Sequence, residues 1–228
     1  VETDNYVLIF DYYNDLTESD NKNSSSGVIG EEDLYTSKKV IVFATHSHGD
    51  HFSEVIFKWR EKRPDIKYIL SSDIKDSINC SEVRFISAYE ELAVDDLKIK
   101  SYGSTDLGIS ILVAVDGVNL FHAGDLNWWH WYDESDEENA KMEIMFKKEI
   151  EKIKKEKIDI AFFPVDPRLR ESYVLGPEYF IREIMPKALV PMHFREDYSI
   201  TKEFRNNCTE LHTRIYEINR RGEELIFS

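Results

Sequence analysis

Six residues constrain this chain more than any others: His46-Ser47-His48-Gly49-Asp50-His51. They follow directly on Val40-Ile41-Val42-Phe43-Ala44, an apolar, β-branched run too short for a typical helix, which reads as a buried strand. The segment is therefore a loop leaving a strand end, where a rigid element aims several side chains at one point. The chain has seven histidines, and three of them fall within these six positions. Three imidazoles and a carboxylate suit zinc, manganese or iron; the bland alternative is a polar surface loop with coincidental histidines.

The same strand-end placement recurs. Gly124-Asp125 follows the expected strand Val118 to His122, and His193 in Pro191-Met192-His193-Phe194 follows Ala188 to Val190. Taken singly, Asp125 reads as a turn residue and His193 as a structural histidine. Three ligand-type segments just beyond strands weaken both readings, because functional residues of open α/β sheets gather at strand ends.

The 228 residues are enough for one large α/β domain or two small ones. Phe52 to Arg63 has helical spacing and Pro64 closes it; Ile66 to Leu70 is the next strand, giving a βαβ pattern. Further strands are expected at Val83 to Ile86, Leu97 to Tyr102, Ile109 to Val115 and Val118 to His122, with Asp116-Gly117 as a tight hairpin turn. Glu134 to Lys157 reads as a long charged helix, Ile158 to Phe163 as a strand, and about Glu178 to Met185 as another helix. Residues 14–33 are polar and aperiodic, a surface loop. No repeat or linker divides the pattern, so the expectation is a single α/β domain over residues 1–228, sheets inside and helices outside. Thr3-Asp4-Asn5 has turn chemistry before the apolar Tyr6 to Phe10, which suggests a hairpin whose first strand, about ten to fifteen residues, precedes Val1.

With 44 acidic against 29 basic residues the formal charge is −15. That argues against a nucleic-acid face, and it gives anionic lipid no attraction. Lys147 to Lys157 alternates with Glu149, Glu151 and Glu156, a solvated helix face with i,i+4 pairs. Cys80 and Cys208 fit no metal or redox spacing; the simplest reading is two thiols in a reducing cytoplasm, the alternative a single disulfide. No membrane span or signal peptide is expected, and neither nucleic acid nor membrane is an expected partner.

His46-x-His48-x-Asp50-His51, then Gly124-Asp125, then His193 after a strand, resembles the metallo-β-lactamase-fold hydrolase superfamily across nearly the whole chain. Phe162-Phe163-Pro164-Val165-Asp166 and Pro191-Met192-His193-Phe194 look most like the branch of ascorbate-phosphate-lactonase-like and N-acyl-phosphatidylethanolamine phospholipase-like enzymes. Gly103-Ser104-Thr105-Asp106 and the run Gly124 to Trp131 are similar to a bacterial subgroup of it. The resemblance implies an αββα sandwich, two mixed sheets with helices on the outer faces and metals at one edge. It also implies His46 and His48 on a first ion, Asp50, His51 and His193 on a second, and Asp125 bridging. One departure stands out. The family supplies a third histidine to the first ion from the loop between Tyr102 and Ile109, but no histidine occurs from Phe52 to Phe121. Counting back from Ser110, which replaces the usual glycine, puts Ser104 at that position. Either Asp106 ligates instead, which favours manganese or iron over zinc, or the first site lacks a protein ligand. Zinc, as one or two ions, is the first expectation.

The implied reaction is hydrolysis by metal-bound hydroxide of a small ester, lactone or phosphodiester. Asp50 orients that nucleophile or takes its proton. Ser47 has no nucleophile-elbow flanks. Trp128, Trp129 and Trp131, three of four tryptophans, are either a packing cluster or partly an apolar pocket wall. His130 either gives a proton to the leaving group or faces solvent, and Arg168 either clamps an anion or pairs with Asp166. His122 reads as a strand or supporting residue and His212 as structural. The competing readings are a nuclease, opposed by the acidic charge, and a non-catalytic metal-binding or sensing protein. Di-iron redox chemistry is weaker, since no flavin-binding segment is visible.

Overall fold

The computed structural model describes residues 1–17, 21–77, 83–208 and 212–227. Cys80 lies outside them, as does part of the polar loop expected at 14–33. The chain forms two compact units, Val1–Ser87 with Arg220–Ser228, and Ala88–Asn219.

The first unit is built on β1 (Tyr6–Phe10), a short helix α1 (Glu31–Leu34), β2 (Lys39–Ala44), β3 (Lys67–Ser71) and β4 (Val83–Ile86). The strands form one parallel sheet in the order β1-β2-β3-β4. Strands of a parallel sheet are covered on both faces, which is why β2 reads as an unbroken apolar run; Val40 to Ala44 are all buried. The turn expected at Thr3 to Asn5 is present: the Thr3 N–H donates to the Tyr6 carbonyl at 2.9 Å, and Glu2 bridges Val7 antiparallel. The ladder partner of β1 is nevertheless β2.

Between β2 and β3 the expected helix is a 3-10 helix, Glu54–Glu61, capped by the Ser53 hydroxyl. Its buried residues are Ile56 and Trp59. Three residues per turn stacks i and i+3 on one side, so the tighter helix sinks both into the core together. Arg63 then donates to the carbonyls of Leu34, Thr36 and Lys38 at 2.7–2.8 Å, tying the βαβ crossover to the edge of β2. Gly30 permits a close approach: a Cβ there would sit 1.8 Å from the Lys22 carbonyl oxygen. The last residues of the chain return to this unit. Arg221 donates to the carbonyls of Asn14, Leu16 and Gly27, and Arg220 to that of Ser25.

The second unit carries β5 (Glu91–Val94), β6 (Leu97–Tyr102), β7 (Ser110–Val115), β8 (Val118–His122), α2 (Asp136–Ile153), β9 (Ile160–Pro164), α3 (Leu175–Ile184), β10 (Ala188–Met192), α4 (Ser199–Asn207) and β11 (Arg214–Ile215). Its seven strands run β11-β10-β9-β8-β7-β6-β5, antiparallel from β5 to β8 and parallel from β8 onward. The β7–β8 turn is the one expected: Asp116 and Gly117 both have positive φ, 46° and 79°, as a type I′ hairpin requires.

Helix α2 begins two residues later than expected because Ser135 caps it, accepting from the Glu138 N–H. Phe146, Ile150 and Ile153 recur on one face and are fully buried; each contributes roughly 1.5–3 kcal/mol of burial. Helix α3 starts earlier than expected, continuing a 3-10 segment, Pro167–Val174, that the pattern did not reveal. Strand β5 was also not expected; Glu91-Leu92-Ala93-Val94 is a short edge strand of weak pattern. Among the described residues no helix is long and apolar enough to cross a membrane.

Candidate metal-ligating site

In the first unit β1 and β2 are parallel neighbours with Phe10 opposite Phe43, so the residues after both ends emerge side by side. Those residues are Asp11 and the loop 45–51. Asp11 has φ 46°, a backbone that aspartate tolerates better than most residues. Its buried carboxylate accepts from the Thr45 N–H and hydroxyl, both at 2.7 Å, and lies 2.7 Å from His51 Nδ1. An ionised carboxylate only accepts, so His51 holds its proton on Nδ1 and presents the Nε2 lone pair. On the other side of the loop the Ser47 N–H donates to Asp73 at 2.8 Å.

His46 is buried, whereas His48 and Asp50 are exposed. His46 Nε2 and His48 Nδ1 face each other at 3.1 Å, and the His46 and His51 rings lie 4.1 Å apart. Within the loop the His51 and Phe52 N–H groups donate to the His48 carbonyl, closing the turn that gathers the imidazoles.

In the second unit the adjacent parallel strands β8, β9 and β10 deliver Asp125, Asp166 and His193 at one edge. His193 Nδ1 is 2.8 Å from the fully buried Asp166 carboxylate, and its Nε2 is 3.4 Å from Asp125 Oδ1. Asp166 thus holds His193 as Asp11 holds His51. Burial opposes the charge on Asp166, but His193, the Arg168 guanidinium and the Arg168 backbone N–H outweigh it and hold the carboxyl down at about 2. Arg168 makes the ion pair with Asp166, with Nη2 2.5 Å from Oδ2 and Nε at 2.9 Å from the same oxygen.

The loop after Asp125 is locked. Thr105 Oγ1 accepts from the Asn127 N–H at 2.9 Å and donates to the Asn127 carbonyl at 2.6 Å; Trp129 Nε1 donates to the Asp125 carbonyl at 2.9 Å. The three tryptophans divide their roles. Trp128 packs on Phe146 and Tyr179. Trp129 is buried against His193 with ring centroids 5.4 Å apart, and Trp131 stacks on Trp129. Asn139 of α2 fixes Trp131 through both its N–H and carbonyl. His130 is half-buried between them, its backbone N–H donating to the Trp128 carbonyl. His122 Nδ1 accepts the Gly124 N–H at 3.2 Å, a supporting contact for the Asp125 turn, and His212 is exposed.

No family model matches the chain, and no curated protein matches it by sequence. Solved structures do. A metallo hydrolase from the hyperthermophilic archaeon Ignicoccus hospitalis superposes with a TM-score of 0.65 at 18% identity, covering 100% of this chain and 93% of that one. An isothiocyanate hydrolase from Delia radicum gut bacteria gives 0.55 at 16% identity, with 97% and 92% covered. YhfI from Bacillus subtilis, a metallo-β-lactamase fold protein, gives 0.50 at 12% identity, with 77% and 76% covered. The chain has the metallo-β-lactamase fold.

In this metallo-β-lactamase fold the loop between β6 and β7 is held by its own polar groups and by Glu149 of α2. The Ser104 hydroxyl accepts the Asp106 N–H at 3.2 Å, Ser110 donates to the Gly103 carbonyl at 3.1 Å, and the Gly103 N–H donates to buried Glu149 at 2.7 Å. Ser104 is half-buried and Asp106 exposed. The donor chemistry fits a divalent ion. Two donors on one tetrahedral ion, each bonded at ~2.0–2.1 Å, lie about 3.3–3.4 Å apart. The His46–His48 and His193–Asp125 donor pairs stand at 3.1 and 3.4 Å.

Sequence reasoning passed over the two orienting carboxylates as site residues. Asp11 carried a readable signal, since it directly follows an apolar strand just as His46 nearly does. Asp166 was visible beside Arg168, but its hold on His193 depends on the β9–β10 pairing.

Proposed function

We propose that this protein is a metal-dependent hydrolase of small molecules bearing an ester, lactone or phosphodiester bond. The observation that carries this reading is the pair of carboxylate-oriented histidines, Asp11 on His51 and Asp166 on His193, the first beside the His46–His48 donor pair and the second itself paired with Asp125, both pairs at ion-sharing distance. A satisfied core histidine needs no such arrangement; a ligand needs its tautomer and ring direction fixed. We assign His46 and His48 to one ion, Asp50, His51 and His193 to a second, and Asp125 as the bridge, with Asp106 completing the first set. Zinc is the assigned metal, and the order of the motifs along the chain together with the fold supports the joint assignment.

Such an ion supplies Lewis acidity, bringing a coordinated water towards a pKa of ~7 and polarising the scissile group's oxygen. The protein's own residues do the rest. Asp50 is solvent-accessible beside His51; with one carboxylate oxygen given to the ion, its other oxygen orients the attacking water or takes its proton. The Asp166–Arg168 pair keeps Asp166 ionised, so that His193 stays fixed. Trp129 and Trp131 form an apolar wall beside His193 that excludes water.

The test is metal analysis of protein purified without added metal, alongside turnover of generic aryl esters and bis-aryl phosphodiesters. Two equivalents of metal, and turnover abolished in His51→Ala, are the expected results. Stoichiometric metal without turnover across the panel overturns the hydrolase reading in favour of a metal-binding protein.

A further inference from the structure

Beyond the His193 edge, the segment after β9 has an unusual construction. The 3-10 helix Pro167–Val174 is broken at Arg170, whose φ of 54° and ψ of −130° lie outside the helical region. Left-handed or otherwise strained backbone at a non-glycine residue is held only where the surroundings enforce it. Here they do. Leu169 and Tyr173 are buried on either side, and Asp166 caps the segment through the Arg168 N–H.

The break turns the exposed Arg170 guanidinium onto the ring of Tyr132, 3.4 Å from Cζ to the centroid. Tyr132 is itself largely exposed and follows Trp131, whose ring lies 5.3 Å from the Arg168 guanidinium. The aromatic run after Asp125 and the two arginines therefore face each other pairwise. The pairs differ in charge. Arg168 is neutralised by Asp166, whereas Arg170 makes no ion pair among the described residues. In a chain of net charge −15, an arginine held over an aromatic face at 3.4 Å keeps N–H groups for an outside acceptor.

We propose that Arg170, held on Tyr132, recognises a carboxylate on the substrate, so that the hydrolase acts on acids carrying the scissile bond some atoms away from that carboxylate. One uncompensated guanidinium matches a monoanion in charge, and its parallel N–H groups match a carboxylate in shape. Arg170 is two residues from Arg168, at most about 7 Å along the chain, and Arg168 touches His193 at 3.5 Å. A spacer of several bonds between ester and carboxylate spans that interval. Arg170 is thus a specificity residue, and the proposal rests on the hydrolase reading above.

The experiment compares mono-4-nitrophenyl adipate with 4-nitrophenyl hexanoate, equal in acyl length and differing in the terminal carboxylate. Wild type should favour the adipate ester in kcat/KM by tenfold or more. Arg170→Gln should cut that ratio at least tenfold, chiefly through KM, and Arg170→Lys should cut it less. Arg170→Gly, which relaxes the strained φ, should lose the preference while folding at least as well. Arg195→Gln, which removes another exposed arginine, two residues after His193, should change the ratio less than twofold. An unchanged ratio in Arg170→Gln, or an equal loss in Arg195→Gln, overturns the proposal. If neither ester turns over, the hydrolase reading fails on its own terms, and adipate titration decides about Arg170. At least tenfold weaker binding in Arg170→Gln upholds carboxylate recognition; equal binding, or none by wild type, refutes it.

Discussion

Replacing Asp11 by asparagine changes one atom and should reverse a tautomer. In the native loop, Asp11 Oδ1 accepts the Thr45 N–H while Oδ2 faces the Thr45 hydroxyl and His51 Nδ1, each at 2.7 Å. Asparagine can keep its oxygen on the Thr45 N–H, which leaves an NH2 where Oδ2 was. That group donates. The threonine hydroxyl can turn and accept, but His51 can accept only by moving its proton to Nε2, the nitrogen assigned to the metal. Loss of a partner that orients a ligand costs 10–100-fold in metal affinity, about 1.4–2.7 kcal/mol. The metal-free protein should lose less, about 1–2 kcal/mol, as charge-assisted hydrogen bonds become neutral ones. Asparagine also tolerates the positive φ, so the backbone is not the variable. Asp11→Ala strands three donors and should cost the metal-free fold about 3–5 kcal/mol. Chelator competition with Zn2+ gives the affinity, and urea unfolding of the metal-free protein gives the stability. If Asp11→Asn binds zinc within twofold of wild type while its stability falls, Asp11 is a loop brace and its role in orienting His51 is wrong.

Two further outcomes follow from the same physics. Asp166 has its carboxyl depressed from 3.8 to about 2, so its stabilisation is fully present above pH 4 and is lost as pH falls from 3.8 through 2. The metal-free wild type should lose on the order of 2 kcal/mol more than Asp166→Asn between pH 4.5 and 2; parallel acid-unfolding curves for the two proteins would contradict this. Gly30→Ala drives a Cβ to within 1.8 Å of the backbone oxygen of Lys22, which cannot swing aside as a side chain would. It should destabilise by about 3 kcal/mol in urea unfolding, and a change below about 0.5 kcal/mol would show that loop to be slack.

Much of this was legible in the residues. The apolar run Val40 to Ala44 is buried on both faces, so its composition alone marked it as a central strand, and the ligand-rich loop beyond it could be placed. Asp116-Gly117 named its own turn because only positive-φ residues make a tight hairpin. The Asp11–His51 and Asp166–His193 pairs were not legible, because they depend on which strands are neighbours, and a sheet's order leaves no local trace in sequence. Arg168 was left between two partners, and the buried carboxylate two residues before it decided the matter. Helical spacing at Phe52 to Arg63 did not distinguish a 3-10 from an α-helix, since Ile56 and Trp59 fit either period.

The clasp by Arg220 and Arg221 makes the first unit discontinuous: its sheet is built before residue 87 and its fastening comes from residues 220 and 221. The Arg221 contacts to Asn14 and Leu16 span 207 and 205 residues of chain. During synthesis the four parallel strands leave the ribosome before the second unit and wait for all of it before Asn14, Leu16, Ser25 and Gly27 can be tied down. Such long-range closure is slow, and partly fastened species expose surface meanwhile. A truncation that removes Arg220 and Arg221 would therefore strike the unit made first.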